Sequence, residues 1–256
     1  MEMTLCVSDI RFRYNSHPVL EGVTFRLEKG QILCILGVNG AGKSTLLKCL
    51  NGILSVQGGT VFLDGEDISR LRGDAIARRI GYVPQRYGDE PLTVYEAVLL
   101  GRKPHIRWSP GRRDLAVVEE ILHVMKLEAF ALRPVNRLSG GEAQKVMIAR
   151  ALAQEPDILL LDEPLSNLDL KNQLEVMGLL RGAVRQRGLS AVLSVHDLNL
   201  ALRFSDLCLL MKDGRVHTLA ARDGISPEMI EEVYGVPVVL EEVQGYPVMV
   251  ALDLVS

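Results

Sequence analysis

The chain has 256 residues, 48% of them hydrophobic and 24% charged, with a formal net charge of −3. This is the balance of a globular protein with material for a sizeable core, and it excludes the basic field on which nucleic-acid binders rely. Cys6, Cys34, Cys49 and Cys208 form no C-x-x-C pair and stand at no metal-ligand spacing with histidine. Reduced and mostly buried thiols are therefore expected, without a disulfide frame. The opening "MEMTLCVSDI" lacks the basic region and apolar stretch of a signal peptide, and runs such as "ILLL" are too short to cross a bilayer. The expectation is a cytosolic protein that meets a membrane only through a partner.

In chain order, the first third reads as strands. Val23, Phe25 and Leu27 alternate with Thr24 and Arg26. After a turn at Lys29–Gly30, the apolar run 32–36 reads as a strand buried on both faces. "GTVFLDGEDI" adds a short strand with a turn at Asp64–Gly65. Thr93 and Glu96 make a capping-box pattern at the head of "VYEAVLLGR", and "RRDLAVVEEILHVMKL" places Leu115, Val118, Leu122 and Met125 on one helical face. Residues 86–155 are thus read as a mainly helical lobe inserted into a lobe formed by 1–85 and 156–256.

From Pro156 strands and helices alternate. "DILLLDEP" is a short buried strand, 170–187 a helix and "SAVLSVHD" another buried strand, which implies a parallel, doubly wound α/β sheet. "LCLLMKDGRVHTL" reads as a hairpin about Asp213–Gly214. Ser226–Pro227 opens a short helix closed by Gly235, and 236–255 reads as two more strands.

The chemistry begins at "GVNGAGKST". Gly37, Gly42, Lys43 and Ser44 fit G-x-x-x-x-G-K-[ST], with a buried strand before them and the helical "TLLKCLNGIL" after. Polyphosphate binding needs inward backbone N–H groups around a tight curve and a helix N-terminus beneath them. It also needs a lysine for the β- and γ-phosphates and a hydroxyl for Mg²⁺. "ILLLDEP" delivers Asp162 to the carboxyl end of a strand, where open α/β sheets bind ligands, with Glu163 next to it as a group able to polarise water. "LSGGE" at 138–142 is by itself ambiguous, because a Ser–Gly–Gly turn that merely caps a helix is common.

The loop at 37–45, Gln85 after "RRIGYVP", "LSGGE", "ILLLDEP", "SNLD" at 166–169 and His196 after "AVLSV" occur in one order. That order resembles the ATP-binding subunits of ABC transporters over nearly the whole chain. The resemblance implies a P-loop NTPase core of the RecA-like kind, with an antiparallel β-subdomain and an inserted α-helical subdomain. It implies ATP and Mg²⁺ as cofactors, with Gly37, Val38, Asn39, Gly40, Ala41, Gly42, Lys43, Ser44 and Thr45 around the phosphates. Tyr14 matches the aromatic that stacks on adenine, with an ordinary strand tyrosine as the alternative. Ser44, Gln85 and Asp162 match the Mg²⁺ site, and Glu163, His196, Gln85 and Lys43 the catalytic groups. Ser139, Gly140 and Gly141 match the signature that donates to the nucleotide held by a second, head-to-tail copy, and Asp169 an aspartate that helps assemble that opposite site.

Three positions depart from the commonest pattern: Val38 for proline, Leu165 for threonine or serine, and Glu142 for glutamine. The last is expected to bring a negative charge near the nucleotide unless it points away. "LTVYEAVLLGRKPH", "LDLKNQLEVM" and "EEVYGVPV" are similar to the ATPases of bacterial importers for iron–siderophore complexes, haem and cobalamin. The implied partners are a second copy, membrane permease subunits and, indirectly, a periplasmic or extracellular binding protein, with no nucleic acid. The implied location is the cytoplasmic face of the cell membrane. The alternatives are an exporter ATPase, a zinc or manganese importer ATPase, and a soluble non-transport ABC protein.

Overall fold

The computed structural model describes residues 3–85 and 91–253; residues 86–90, at the head of the expected helical lobe, and 254–255, at the end of the expected last strand, lie outside them. In chain order come β1 (Met3–Tyr14), β2 (His17–Glu28), β3 (Ile32–Leu36), α1 (Lys43–Leu50), β4 (Gly58–Leu63), β5 (Glu66–Asp67), α2 (Gly73–Arg79) and β6 (Ile80–Val83). There follow α3 (Val94–Leu100), α4 (Arg112–Val124), α5 (Gly140–Leu152), β7 (Ile158–Asp162) and α6 (Leu170–Arg187). The chain then runs through β8 (Ser190–Ser194), α7 (Leu198–Phe204), β9 (Leu207–Lys212), β10 (Arg215–Ala221), α8 (Pro227–Tyr234), β11 (Val238–Val243) and β12 (Tyr246–Ala251).

Two compact units result. The first comprises Met1–Arg70 with Ser190–Ser256. In it β2-β1-β4-β5 form an antiparallel sheet whose inner face buries Val7, Ile10, Val23, Phe25 and Leu27. The period-two alternation of β2 is the direct cause, since successive side chains point to opposite faces. In the same unit β3 lies between β8 and β9, parallel to both, and β10 folds back antiparallel onto β9. All five residues of β3 and of β8 are buried, as a strand covered on both faces requires. The hairpin turn falls at Asp213–Gly214, where φ is 49° and 74°. No cysteine forms a disulfide; Cys34, Cys49 and Cys208 are buried, and burial pushes the Cys49 thiol up to about 12.

The second unit is Leu71–Leu189. Here β6 and β7 pair in parallel, Ile80 opposite Ile158, and α3, α4 and α5 pack on one another. Helix α5 is buried nearly all round, including Val146, Met147, Ile148, Ala149 and Leu152, the pattern of a helix covered by neighbours on every side. In α4 the buried face is Val117, Val118, Ile121 and Leu122, with Met125 just beyond. Leu115, expected on that face, is 38% exposed. At 100° per residue it lies about 90° from the centre of that stripe, which falls between Ile121 and Val118.

The "GRKPH" segment is a brace. Gly101 is obligatory because a Cβ there would stand 2.1 Å from the Arg150 carbonyl oxygen. Arg102, 1% exposed, donates to Asp114 at 3.1 Å, to the Ala153 carbonyl at 2.6 Å and to Glu155 at 2.8 Å. His105 Nε2 meets the Gln154 carbonyl at 2.8 Å, and the Pro104 carbonyl accepts from Arg78. The far end of α5 is thereby tied to α3 and α4. A buried guanidinium is tolerable only with such partners; stripping one away typically costs about 3–5 kcal/mol.

Candidate nucleotide site

Strand β3 delivers the glycine loop to the carboxyl edge of its sheet. Gly37, at φ 145°, sits where a Cβ would be 2.3 Å from the Met211 carbonyl oxygen. At Gly42, φ 97°, a Cβ would be 2.9 Å from both Leu20 Cδ2 and the Val19 carbonyl. Neither position admits a side chain. Helix α1 then starts with Gly42 as its N-cap and no side-chain cap, so its first N–H groups are presented to whatever anion enters the loop. Lys43 is 5% exposed, its Nζ donating to the Gly37 carbonyl at 2.6 Å and the Val38 carbonyl at 3.1 Å. Val38, Asn39 and Gly40 form the exposed rim, Ala41 is buried, and Ser44 and Thr45 occupy the first turn of α1.

In the same unit Tyr14 is 46% exposed and packs edge-on against Phe12, centroids 4.9 Å apart at 81°. That fixes the ring at the hairpin end with part of its surface open for stacking. His196 is exposed two residues after β8, and Asp197 next to it caps α7 by accepting from Leu200 N at 3.0 Å.

The second unit carries the acids and the signature. Asp162 ends β7, 3% exposed, and its charge, after burial itself, helps push the Tyr82 hydroxyl up to about 12. Glu163 leaves the strand at φ 48°, and Gln85 Nε2 donates to its Oε2 at 2.5 Å. Ser166 Oγ donates to the Glu163 carbonyl at 2.9 Å, and Asp169 caps α6 by accepting from Asn172 N at 2.8 Å. Leu165, where a hydroxyl residue is commoner, is buried and serves the core.

The signature is a complete capping box. Ser139 Oγ accepts from Glu142 N at 3.4 Å, while Glu142 Oε2 accepts from Ser139 N at 2.8 Å and from Ser139 Oγ at 2.7 Å. These donors hold the Glu142 carboxyl below the usual glutamate range, with smaller help from Arg133 and Lys145. The charge of Glu142 is folded back onto Ser139. At Gly141 a Cβ would lie 2.5 Å from Asn172 Cγ and Oδ1, so the Asn172 side chain would have to give way, whereas Gly140 faces only Leu168 at 4.0 Å.

The expected residues thus fall into two groups: Tyr14, the 37–45 loop and His196 on the first unit, and Gln85, Asp162, Glu163, the signature and Asp169 on the second. Sequence reasoning did not find Tyr234, whose hydroxyl accepts the Gly37 N–H at 2.9 Å, a contact across a sequence separation that no local pattern encodes. It also read Glu142 only as a charge; the S-x-x-E spacing was the available signal for the box. Among the described residues no group of three or more His, Cys, Asp or Glu side chains is placed to hold a metal ion. The hydroxyl of Ser44 and the carboxylate of Asp162 are hard oxygen donors of the kind that suit Mg²⁺ held mainly by phosphate and water.

A strand, a glycine loop, an uncapped helix start and an acid pair at a strand end define a P-loop nucleotide-binding α/β protein. The ABC transporter family model matches residues 20–166. An uncharacterised ABC transporter ATP-binding protein of Methanocaldococcus jannaschii is 50% identical over 234 residues, spanning 91% of this chain and 92% of that one. A petrobactin import ATP-binding protein of Bacillus subtilis is 34% identical over 226 residues, 88% of each. Among solved structures, one described as an inward-facing metal-chelate type ABC transporter superposes with a TM-score of 0.86 at 30% identity, covering 99% of this chain and 98% of that one. A dimeric bacterial ABC transporter cassette gives 0.76 at 30% identity, covering 86% and 100%. The chain belongs to the ABC transporter family, as one of its ATP-hydrolysing cassettes.

Proposed function

We propose that this cassette works as a head-to-tail pair bound to a membrane permease, powering import of a metal chelate such as an iron–siderophore complex, haem or cobalamin. The full-length likeness to the metal-chelate type transporter carries this reading, and the petrobactin relative favours the same substrate class. Among the described residues no helix is long and apolar enough to cross a membrane; in this reading a permease supplies the path. A mainly apolar cavity of about 470 Å³ in the second unit, lined by Leu92, Leu99, Leu100, Ile106 and Pro110 with the charged Glu96, Lys103 and Arg107 among them, offers a surface for it. The exposed Trp108, two residues before Pro110, adds apolar surface nearby.

In this reading the loop N–H groups and Lys43 hold the β- and γ-phosphates, Tyr14 stacks on the base, and Ser44, Gln85 and Asp162 hold Mg²⁺. The ion contributes charge neutralisation at the phosphates. Glu163, oriented through its bond to Gln85, accepts a proton from the attacking water, and His196 contacts the γ-phosphate. Ser139, Gly140 and Gly141 of the second copy supply donors that strengthen as charge develops on the transferred phosphoryl group. Asp169 helps assemble that opposite site, and helices α3, α4 and α5 move to transmit closure to the permease. Glu163→Gln tests the assignment. ATP binding persists, hydrolysis falls by about 10²–10⁴, the range of a lost general base, and closed dimers accumulate on size exclusion with Mg–ATP. Near-normal turnover in that variant contradicts the role of Glu163.

A further inference from the structure

Gly37 is the residue at which the chain leaves β3 to begin the phosphate loop, and it is held from two sides. The Met211 carbonyl of β9 faces it so closely that no Cβ fits. Its N–H donates to the hydroxyl of Tyr234 at 2.9 Å. Its own carbonyl accepts from Lys43 Nζ at 2.6 Å. A glycine at φ 145° has little intrinsic preference for that conformation, so the surroundings must impose it.

Tyr234 is itself rigidly mounted. It is the last residue of α8, a helix capped at one end by Ser226 and at the other by Gly235 in the left-handed conformation. Ile230 and Val233 bury the helix face. Lys212, the residue after Met211, reaches the Glu232 carbonyl at 2.6 Å, and His217 meets the Glu232 carboxylate at 2.7 Å. The strand and the helix that grip Gly37 are therefore fastened to each other. If Tyr234 served only to fill space, phenylalanine would suffice; the hydroxyl is the part that touches the loop.

We infer that Tyr234 is a positioning residue for the nucleotide loop, using its hydroxyl to fix the Gly37 peptide so that the loop is preformed for phosphate. This rests on the assignment of the 37–45 loop to ATP. The bond is worth affinity because a loop already shaped for its ligand loses less freedom on binding.

The test uses the full chain carrying Tyr234→Phe, with Tyr246→Ala and Lys43→Ala beside it. Tyr246 lies under Arg203, 4.3 Å from the ring centroid, on the hairpin that follows α8, so its loss loosens the same C-terminal region without touching Gly37. Tyr234→Phe is expected to raise KM for Mg–ATP about fivefold, the equilibrium equivalent of one neutral hydrogen bond, with kcat within about twofold. Amide exchange in a peptide containing Gly37 should quicken in the same variant without nucleotide. Tyr246→Ala should lower Tm while leaving KM and that exchange unchanged. Unchanged KM or unchanged Gly37 exchange in Tyr234→Phe, or an equal rise in KM in Tyr246→Ala, overturns the proposal. If Lys43→Ala loses ATP while Tyr234→Phe matches wild type, the loop assignment stands and the role of Tyr234 alone fails; if Lys43→Ala binds ATP normally, the loop assignment fails with it.

Discussion

Two helices in this protein begin at glycine-rich turns, and they begin in opposite ways. Helix α1 starts at Gly42 with no side-chain cap, and its lysine is turned onto the loop carbonyls. Helix α5 starts at Ser139 inside a full capping box closed by Glu142. A helix start with no side-chain cap turns its positive end to a ligand, which suits a site that holds phosphate strongly. A self-capped N-terminus is already satisfied, and an arriving phosphate must compete with Glu142 for the Ser139 hydroxyl. The contrast suits the proposed division of labour, in which one start holds nucleotide and the other engages and releases it.

The sharpest way to break that comparison is at the bare start. Lys43→Ala should weaken ATP binding on the order of a hundredfold, as expected for charge-assisted bonds to phosphate, measured by fluorescence titration of a labelled nucleotide. At the capped start, Ser139→Phe should leave that titration unchanged while hydrolysis drops by about a hundredfold, the usual cost of losing a transition-state donor. Equal damage to ATP binding in the isolated chain would place both starts on one phosphate in one copy.

The mildest change is Glu142→Gln. Glutamine can still close the box, so the fold persists. Turnover should rise roughly two- to fivefold, the rate equivalent of the 0.3–1 kcal/mol that one charge is worth at an exposed helix N-terminus. Its acid behaviour has a definite sign. The folded Glu142 carboxyl is depressed below its ordinary range, so its contribution to stability is present at neutral pH. It is lost as pH falls from the ordinary value, about 4.3, through the lower folded one. Thermal melts from pH 7 to pH 3 should therefore show a shallower acid loss in Glu142→Gln than in wild type. Identical acid slopes would mean that the Ser139 hydroxyl and not the Glu142 carboxylate caps α5.

Much of the fold was legible because it is written in local patterns. The run 32–36 and the helix 170–187 appear where continuous apolarity and turn residues put them, and Thr93–Glu96 capped the helix its spacing announced. The candidate catalytic and phosphate residues are legible as motifs, since glycine, lysine and acid at fixed spacing have few other uses, and their roles are those proposed above. What stayed hidden is tertiary. The brace role of Arg102 depends on Ala153 and Glu155, which only packing brings near. Tyr234 meets Gly37 across most of the chain. Leu115 falls off the buried face because spacing alone does not fix where the stripe centres; packing of the neighbours places that centre between Ile121 and Val118.

In the proposed dimer, nucleotide bound at the uncapped start of one copy is completed by the capped start of another. Mixing purified Lys43→Ala and Ser139→Phe chains, each inactive alone, tests it directly. A site made from the intact loop of one variant and the intact signature of the other should restore hydrolysis to about a quarter of the wild-type rate, because half of randomly paired two-fold dimers are mixed and each holds one complete site. A mixture as inactive as its separate components would contradict the claim.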